Sequence, residues 1–250
     1  MDLTRRVIVA LDFDTAEDAE AVVERLGDTG QSYKIGLQLL TAAGPSLVTS
    51  LAAAGKDVFL DLKLFEIPTS VAAAVRAAGV RGATMVSVHA SAGSRILRAA
   101  VRAAAEFPRL RVVALTVVTS LIDADLAEVG VTATTGEQTA RLALLARDAG
   151  CHGVVAAPHD AAALRRLLGP DVLVVTPGVT LPVHPDAATD HARPAHPADA
   201  FRAGASHVVI GRALTRAPDP AAVLAAIAEE LRISGAATRP AGHRTDSATR

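Results

Sequence analysis

Eight short runs rich in β-branched residues, separated by stretches rich in Ala, Leu and Arg, constrain this chain more than any other feature. They read "RVIVALD" (6–12), "YKIG" (33–36), "DVFLDLK" (57–63), "TMVSVHA" (84–90), "RVVALTVV" (111–118), "GVVAA" (153–157), "VLVVTPG" (172–178) and "HVVIG" (207–211). Nearly continuous apolar character marks strands covered on both faces, as in a parallel sheet; a sheet with one wet face would alternate. The stretches at 15–26, 94–107, 135–149 and 220–231 have helical spacing, with Thr15 placed as an N-cap and Gly150 as a stop. Eight strands alternating with helices over residues 1–231 predict a single-domain (β/α)8 barrel, followed by a flexible tail at 232–250. A doubly wound open sheet is the alternative, weakened because no Gly-rich turn of the dinucleotide-binding kind follows the first strand. Half of the 250 residues are apolar and only 2% aromatic, so Ala, Val and Leu have to build the core.

Two segments, 119–134 and 179–196, exceed an economical connection; the first carries several Thr and Asp, and the second is rich in Pro, His, Asp and Thr. Both follow strands, where long loops of a barrel carry function. A net charge of -1 argues against a nucleic-acid partner held by bulk electrostatics. The single cysteine, Cys151, fits a reducing compartment. The N-terminus has no apolar run of signal-peptide length, and no stretch of about 20 apolar residues is present. These features predict a cytoplasmic protein with neither a membrane nor a nucleic-acid partner.

Barrel chemistry sits where strands end, and those ends carry Asp12, Lys34, Asp61, Lys63, His89, Thr119, Pro177, Gly178, Gly211 and Arg212. Lysine is scarce: Lys34, Lys56 and Lys63 are the only three among 25 basic residues. Asp61 and Lys63 stand two apart on one strand, so their side chains share a side and can hold each other charged. Glu66 follows closely enough to join them. Arginine cannot replace an amine that must give up a proton, which points to Lys63 as a proton donor. The Asp61–Lys63 pair alone fits a structural ion-pair cap equally well. Adding Asp12 and Lys34 at the same mouth turns the balance towards chemistry.

The eighth strand ends in "VVIGRALT" and the seventh in "TPGV", where phosphate commonly sits in barrels. Histidines 152, 159, 184, 196, 207 and 243 show no metal-ligand spacing and read as surface or loop residues. His89 fits two readings, as an orienting group or as a packed mouth residue. Cys151 reads as buried rather than nucleophilic.

The motifs "ALD" (10–12), "YKIG" (33–36), "DLKLFEIP" (61–68), "VHASAG" (88–93), "LTVVTS" (115–120), "TPGV" (176–179) and "VIGRALT" (209–215) occur in order. Together they resemble the orotidine 5'-phosphate decarboxylase family, of the shorter bacterial type, over nearly residues 5–231. The acid-x-Lys-x-x-acid signature alone is shared with sugar-phosphate decarboxylases and synthases of the wider suprafamily, for which Mg²⁺ dependence would be the mark. "LTVVTS" and the long 179–196 segment favour a nucleotide base.

The resemblance implies a homodimer of barrels that uses neither cofactor nor metal and converts orotidine 5'-monophosphate to UMP and carbon dioxide. Lys34, Asp61, Lys63 and Glu66 would form the family's tetrad, the fourth acid reaching the neighbouring subunit's site. Asp12 would hold the ribose, Thr119 the pyrimidine edge, and Gly211 and Arg212 the phosphate. Four positions depart from the family pattern. Glu66 stands for Asp, Ser70 for the Thr that approaches the partner's substrate, Thr180 for Arg, and His191 for the Gln of the phosphate loop. Their clustering implies a divergent paralogue, with altered efficiency, an altered substrate or nucleotide binding without turnover as the alternatives.

Overall fold

The computed structural model describes residues 3–181 and 195–235. Eight parallel strands close into a barrel: β1 Val7–Ala10, β2 Ser32–Gly36, β3 Asp57–Leu64, β4 Met85–His89, β5 Arg111–Leu115, β6 Gly153–Val155, β7 Leu173–Thr176 and β8 His207–Ile210. Pairing of Val7 with Val208 and Val9 with Ile210 joins the first strand to the last. The open-sheet alternative is thereby excluded.

Helices return the chain between strands: α1 Ala16–Leu26, α2 Leu37–Ala43, α3 Ser46–Ala53, α4 Pro68–Val80, α5 Ser94–Ala104, α6 Asp123–Glu128, α7 Thr135–Asp148, α8 Ala161–Leu168, α9 Pro197–Ala203, α10 Arg212–Thr215 and α11 Pro220–Ile233. Local signals set several boundaries. Thr15 caps α1 by accepting the Asp18 amide. Thr134 and Glu137 form a capping box at the start of α7. The expected helix 94–107 stops at Ala104, because Pro108 disfavours a helical backbone at Phe107. The last helix runs to Ile233, two residues past the expected end, and residues 236–250 of the expected tail lie outside the described part. None of the described helices is long and apolar enough to cross a membrane.

Unbroken apolar runs arise because both faces of each strand are covered. On β1, Val7 and Val9 pack outward with Val22, Leu26 and Leu224 of the helical layer, while Ile8 and Ala10 point into the barrel. Phe59, Met85, Val113, Leu115, Val155, Val175 and Val209 complete the inner layer. Burying each such Val or Leu stabilises the fold by about 1.5–3 kcal/mol. Several runs outlast their strands: "RVIVALD" leaves the sheet after Ala10 although Leu11 stays fully buried. Apolar character reports burial there, and the Leu11 amide makes the last bond to β2, donating to the Lys34 carbonyl at 2.9 Å. The 119–134 segment contains α6, and Asp123 Oδ1 accepts the Thr135 amide at 2.7 Å, tying the segment to the start of α7.

Candidate active site

A cavity of about 510 Å³ opens at the C-terminal ends of the strands. Asp12, Lys34, Asp61 and Lys63 line one side of it, and Thr119, Pro177, Gly178 and Thr180 another. Gly211 and Arg212 line the end beyond β8. Ten of the residues predicted from sequence therefore share one space. Glu66 and Ser70 do not line it; both are exposed on the outer rim. His191 lies outside the described residues.

The charged groups alternate in sign. Lys34 Nζ donates to Asp12 Oδ1 at 2.8 Å and lies 3.9 Å from Asp61 Oδ2. Lys63 Nζ donates to the same Asp61 oxygen at 2.8 Å. Asp12–Lys34–Asp61–Lys63 is thus a continuous acid–amine chain across the mouth. Gly36 makes room for it, since a Cβ there would stand 3.3 Å from Lys34 Nζ and 3.5 Å from Asp12 Oδ1. Burial, with the Lys63 cation adding to it, holds the His89 imidazole below its usual value. The ring lies 5.7 Å from that of Phe65, and its Nδ1 accepts the Ser91 amide. His89 therefore has packing and capping partners at the mouth.

Simple strand alternation is not what brings Asp61 and Lys63 together. Leu60 pairs with Val86 but Leu64 pairs with Val88, so Asp61, Leu62 and Lys63 face Ser87 alone. Lys63 absorbs the excess with φ 49°, the single positive φ among described residues other than glycine. A left-handed backbone at a residue with a side chain costs on the order of 1–3 kcal/mol, and such conformations cluster at functional sites. Ser87 sits inside the bulge, fully buried. Its hydroxyl accepts the Lys63 amide and donates to Asp61 Oδ1, both at 2.8 Å.

Ser87, Gln38 and Arg216 were not singled out from the sequence. A lone hydroxyl inside the apolar strand "MVSVH" was a signal for Ser87. Arg216 lines the cavity one helical turn beyond Arg212, a spacing that could have revealed it, and Gln38 lines it from the start of α2, just after β2. A second cavity, of about 330 Å³, adjoins the first and shares Thr119, Pro177 and Gly178 with it. Gly178 has φ 78°, which favours glycine at that wall. Thr180 Oγ1 is buried and has no hydrogen-bond partner among the described residues.

The structure corrects the reading of His207 as a surface or loop residue. It begins β8 at the opposite end of the barrel, where burial and the Arg6 cation lower its pKa to about 4. His152 is structural as well, its Nδ1 accepting the Val112 amide at 3.0 Å. Cys151 is buried as expected, and burial pushes its thiol up to about 12. Among the described residues, no group of three or more His, Cys, Asp or Glu side chains could hold a metal ion.

Residues 5–227 match the model of the "Orotidine 5'-phosphate decarboxylase / HUMPS family". Orotidine 5'-phosphate decarboxylase of Chromobacterium violaceum is 46% identical over 231 residues, covering 92% of this chain and 93% of that protein. The corresponding enzyme of Anaeromyxobacter sp. (strain K) is 45% identical over 233 residues, covering 92% of this chain and all of that one. The crystal structure of orotidine 5'-phosphate decarboxylase from Lactobacillus acidophilus superposes with a TM-score of 0.80 at 33% identity, over 90% of this chain and 98% of that one. With the barrel, its mouth and the acid–amine chain all in place, this chain belongs to the orotidine 5'-phosphate decarboxylase family.

Proposed function

We propose that this chain is a carboxy-lyase that converts orotidine 5'-monophosphate to UMP and carbon dioxide in pyrimidine nucleotide biosynthesis, the activity for which its curated relatives are named. The observation that carries this reading is the acid–amine chain ending at Lys63, set at one side of a nucleotide-sized cavity. When the C6–carboxylate bond breaks, its electron pair stays on C6 in the ring plane, where no neighbouring π system takes it up. The Lys63 ammonium stabilises that developing charge and then donates a proton to C6. Carbon dioxide leaves, and the neutral amine regains its proton from solvent. Asp61, beside the substrate carboxylate, repels it in the ground state and less so once it has become carbon dioxide. Lys34 keeps Asp61 and Asp12 paired meanwhile.

At the far side, Arg212 and Gly211 receive the 5'-phosphate, with Arg216 adding a second guanidinium to the same wall. Asp12 takes the ribose and Thr119 the pyrimidine edge. Pro177, Gly178 and Thr180 form the wall between base and phosphate, and the buried Thr180 hydroxyl is a polar group available to a ligand. Phosphate lies far from the reacting carbon, so its binding energy serves to close loops over the base and raises turnover.

The working unit we infer is a homodimer. Leu37, Phe65 and Ile67 are 56%, 61% and 58% exposed, and all follow strand ends on the mouth side. An apolar patch of this kind marks an interaction surface. Glu66 lies between Phe65 and Ile67, outside its own cavity, where a second copy would receive it together with Ser70. A lone cysteine supports a cytoplasmic setting.

The test is the ultraviolet absorbance change as orotidine 5'-monophosphate becomes UMP, followed with purified protein. Turnover is expected. UMP binding without turnover would replace this reading with that of a nucleotide-binding paralogue.

A further inference from the structure

We propose that Ser87 is a positioning residue that sets the proton-donating lysine, a role that rests on the reading of Lys63 given above. The β3–β4 ladder has three residues, Asp61, Leu62 and Lys63, facing the single residue Ser87. A bulge of that size leaves backbone groups without ladder partners, and a buried unpaired amide is costly. The Ser87 hydroxyl fills this vacancy. It accepts the Lys63 N–H at 2.8 Å and so helps to hold Lys63 at φ 49°, a conformation uncommon for a residue other than glycine.

The same hydroxyl donates its proton to Asp61 Oδ1 at 2.8 Å, leaving Asp61 Oδ2 to face Lys63 Nζ at 2.8 Å and Lys34 Nζ at 3.9 Å. One oxygen atom thus fixes both the backbone of Lys63 and the orientation of the carboxylate that pairs with its ammonium. Ser87 is fully buried and does not line the cavity, so it acts through these two residues and does not touch substrate. A hydroxyl suits this task, since it accepts from one of the two neighbours that have to be aligned and donates to the other. Without the hydroxyl, Lys63 has reason to relax towards an extended backbone, which swings its ammonium away from Asp61.

Ser87→Ala removes the hydroxyl, and Ser87→Cys keeps nearly the same volume with only a weak hydrogen-bonding group. Displacement of a reacting group by about 1 Å can cost on the order of a hundredfold in rate, so kcat for orotidine 5'-monophosphate should fall by about 10- to 100-fold in both variants. KM and UMP affinity should stay within about twofold, because the phosphate and ribose contacts are untouched. Should Ser87→Ala not fold, Ser87→Cys carries the test by itself. Unchanged kcat in the folded variants overturns the proposal, as does an equal loss of kcat and UMP affinity, which a merely structural role would produce. A crystal structure of the folded variant separates this proposal from the assigned reaction. Lys63 is expected to leave the positive-φ region or to separate from Asp61. Retention of both features overturns the positioning role even if the wild-type protein turns over no orotidine 5'-monophosphate, whereas absence of wild-type turnover counts against the assigned reaction alone.

Discussion

The ammonium of Lys63 stands 2.8 Å from the carboxylate of Asp61, two residues back on a strand that has bulged to bring them together. The Lys63 amine accordingly faces a carboxylate oxygen at hydrogen-bond distance. Lys63→Ala should abolish decarboxylation while leaving UMP binding largely intact, because the group acts chiefly at the transition state. Lys63→Arg should fail nearly as badly, since guanidinium keeps its proton. Steady-state kinetics check both. A rise confined to KM in the Ala variant, or substantial activity in the Arg variant, removes the proton-donor role.

Arg212 lies at the end of the cavity beyond β8. Arg212→Ala should weaken UMP far more than uridine, by about 1.5–3 kcal/mol for a charge-assisted contact. Titration calorimetry with both ligands decides it. Equal weakening of nucleotide and nucleoside would place the phosphate elsewhere.

Glu66 and Ser70 test both the dimer and the departures from the family pattern. Within its own chain Glu66 turns back, Oε2 accepting the Ile67 amide at 2.8 Å. A longer side chain that must fold back to fit calls for space beside it, which the smaller Ser70 would supply. In a double-mutant cycle over Glu66→Asp and Ser70→Thr, kcat/KM should therefore be non-additive, and each single change should lower activity. Additivity would show the two departures to be independent.

Shared sites make a further demand. Mixing Lys63→Ala and Glu66→Ala proteins, after dissociation and reassociation, should restore about a quarter of wild-type activity, because half of randomly paired dimers contain one intact site. No recovery in demonstrably mixed dimers would confine each site to one chain.

His207 governs acid sensitivity at the other end of the barrel. Its folded pKa of about 4 lies below the ordinary 6.5, through burial and the Arg6 cation. The unfolded chain therefore binds the extra proton between these values, and stability falls as pH drops through that window. From about pH 7 to about pH 5 the loss from this residue should be on the order of 2 kcal/mol. His89, also held low, contributes in the same direction. Glu137 and Glu229, whose hydrogen bonds lower their pKa, lose their contributions only at more acid pH. Urea unfolding at the two pH values should show a flatter dependence in His207→Asn. An unchanged slope would exclude His207 as its source.

Local information determined much of this protein. Apolar runs without alternation are legible as strands covered twice, and eight of them with helical spacers leave the closed barrel as the economical arrangement. Because side chains at the strand ends must meet at one mouth, Asp12, Lys34, Asp61, Lys63 and Arg212 could be placed together before any contact was known. Contacts across strands were not legible in this way. The bulge that gives Lys63 its left-handed backbone exists only in the register of β3 against β4, and its hydrogen-bond partner Ser87 lies 24 residues away. The lowered pKa of His207 likewise draws on the charge of Arg6, about two hundred residues earlier in the chain but brought near where β8 closes against β1. Periodicity encodes which face of an element is dry, but the protonation and orientation of a side chain depend on groups that only the closed barrel brings within a few ångströms.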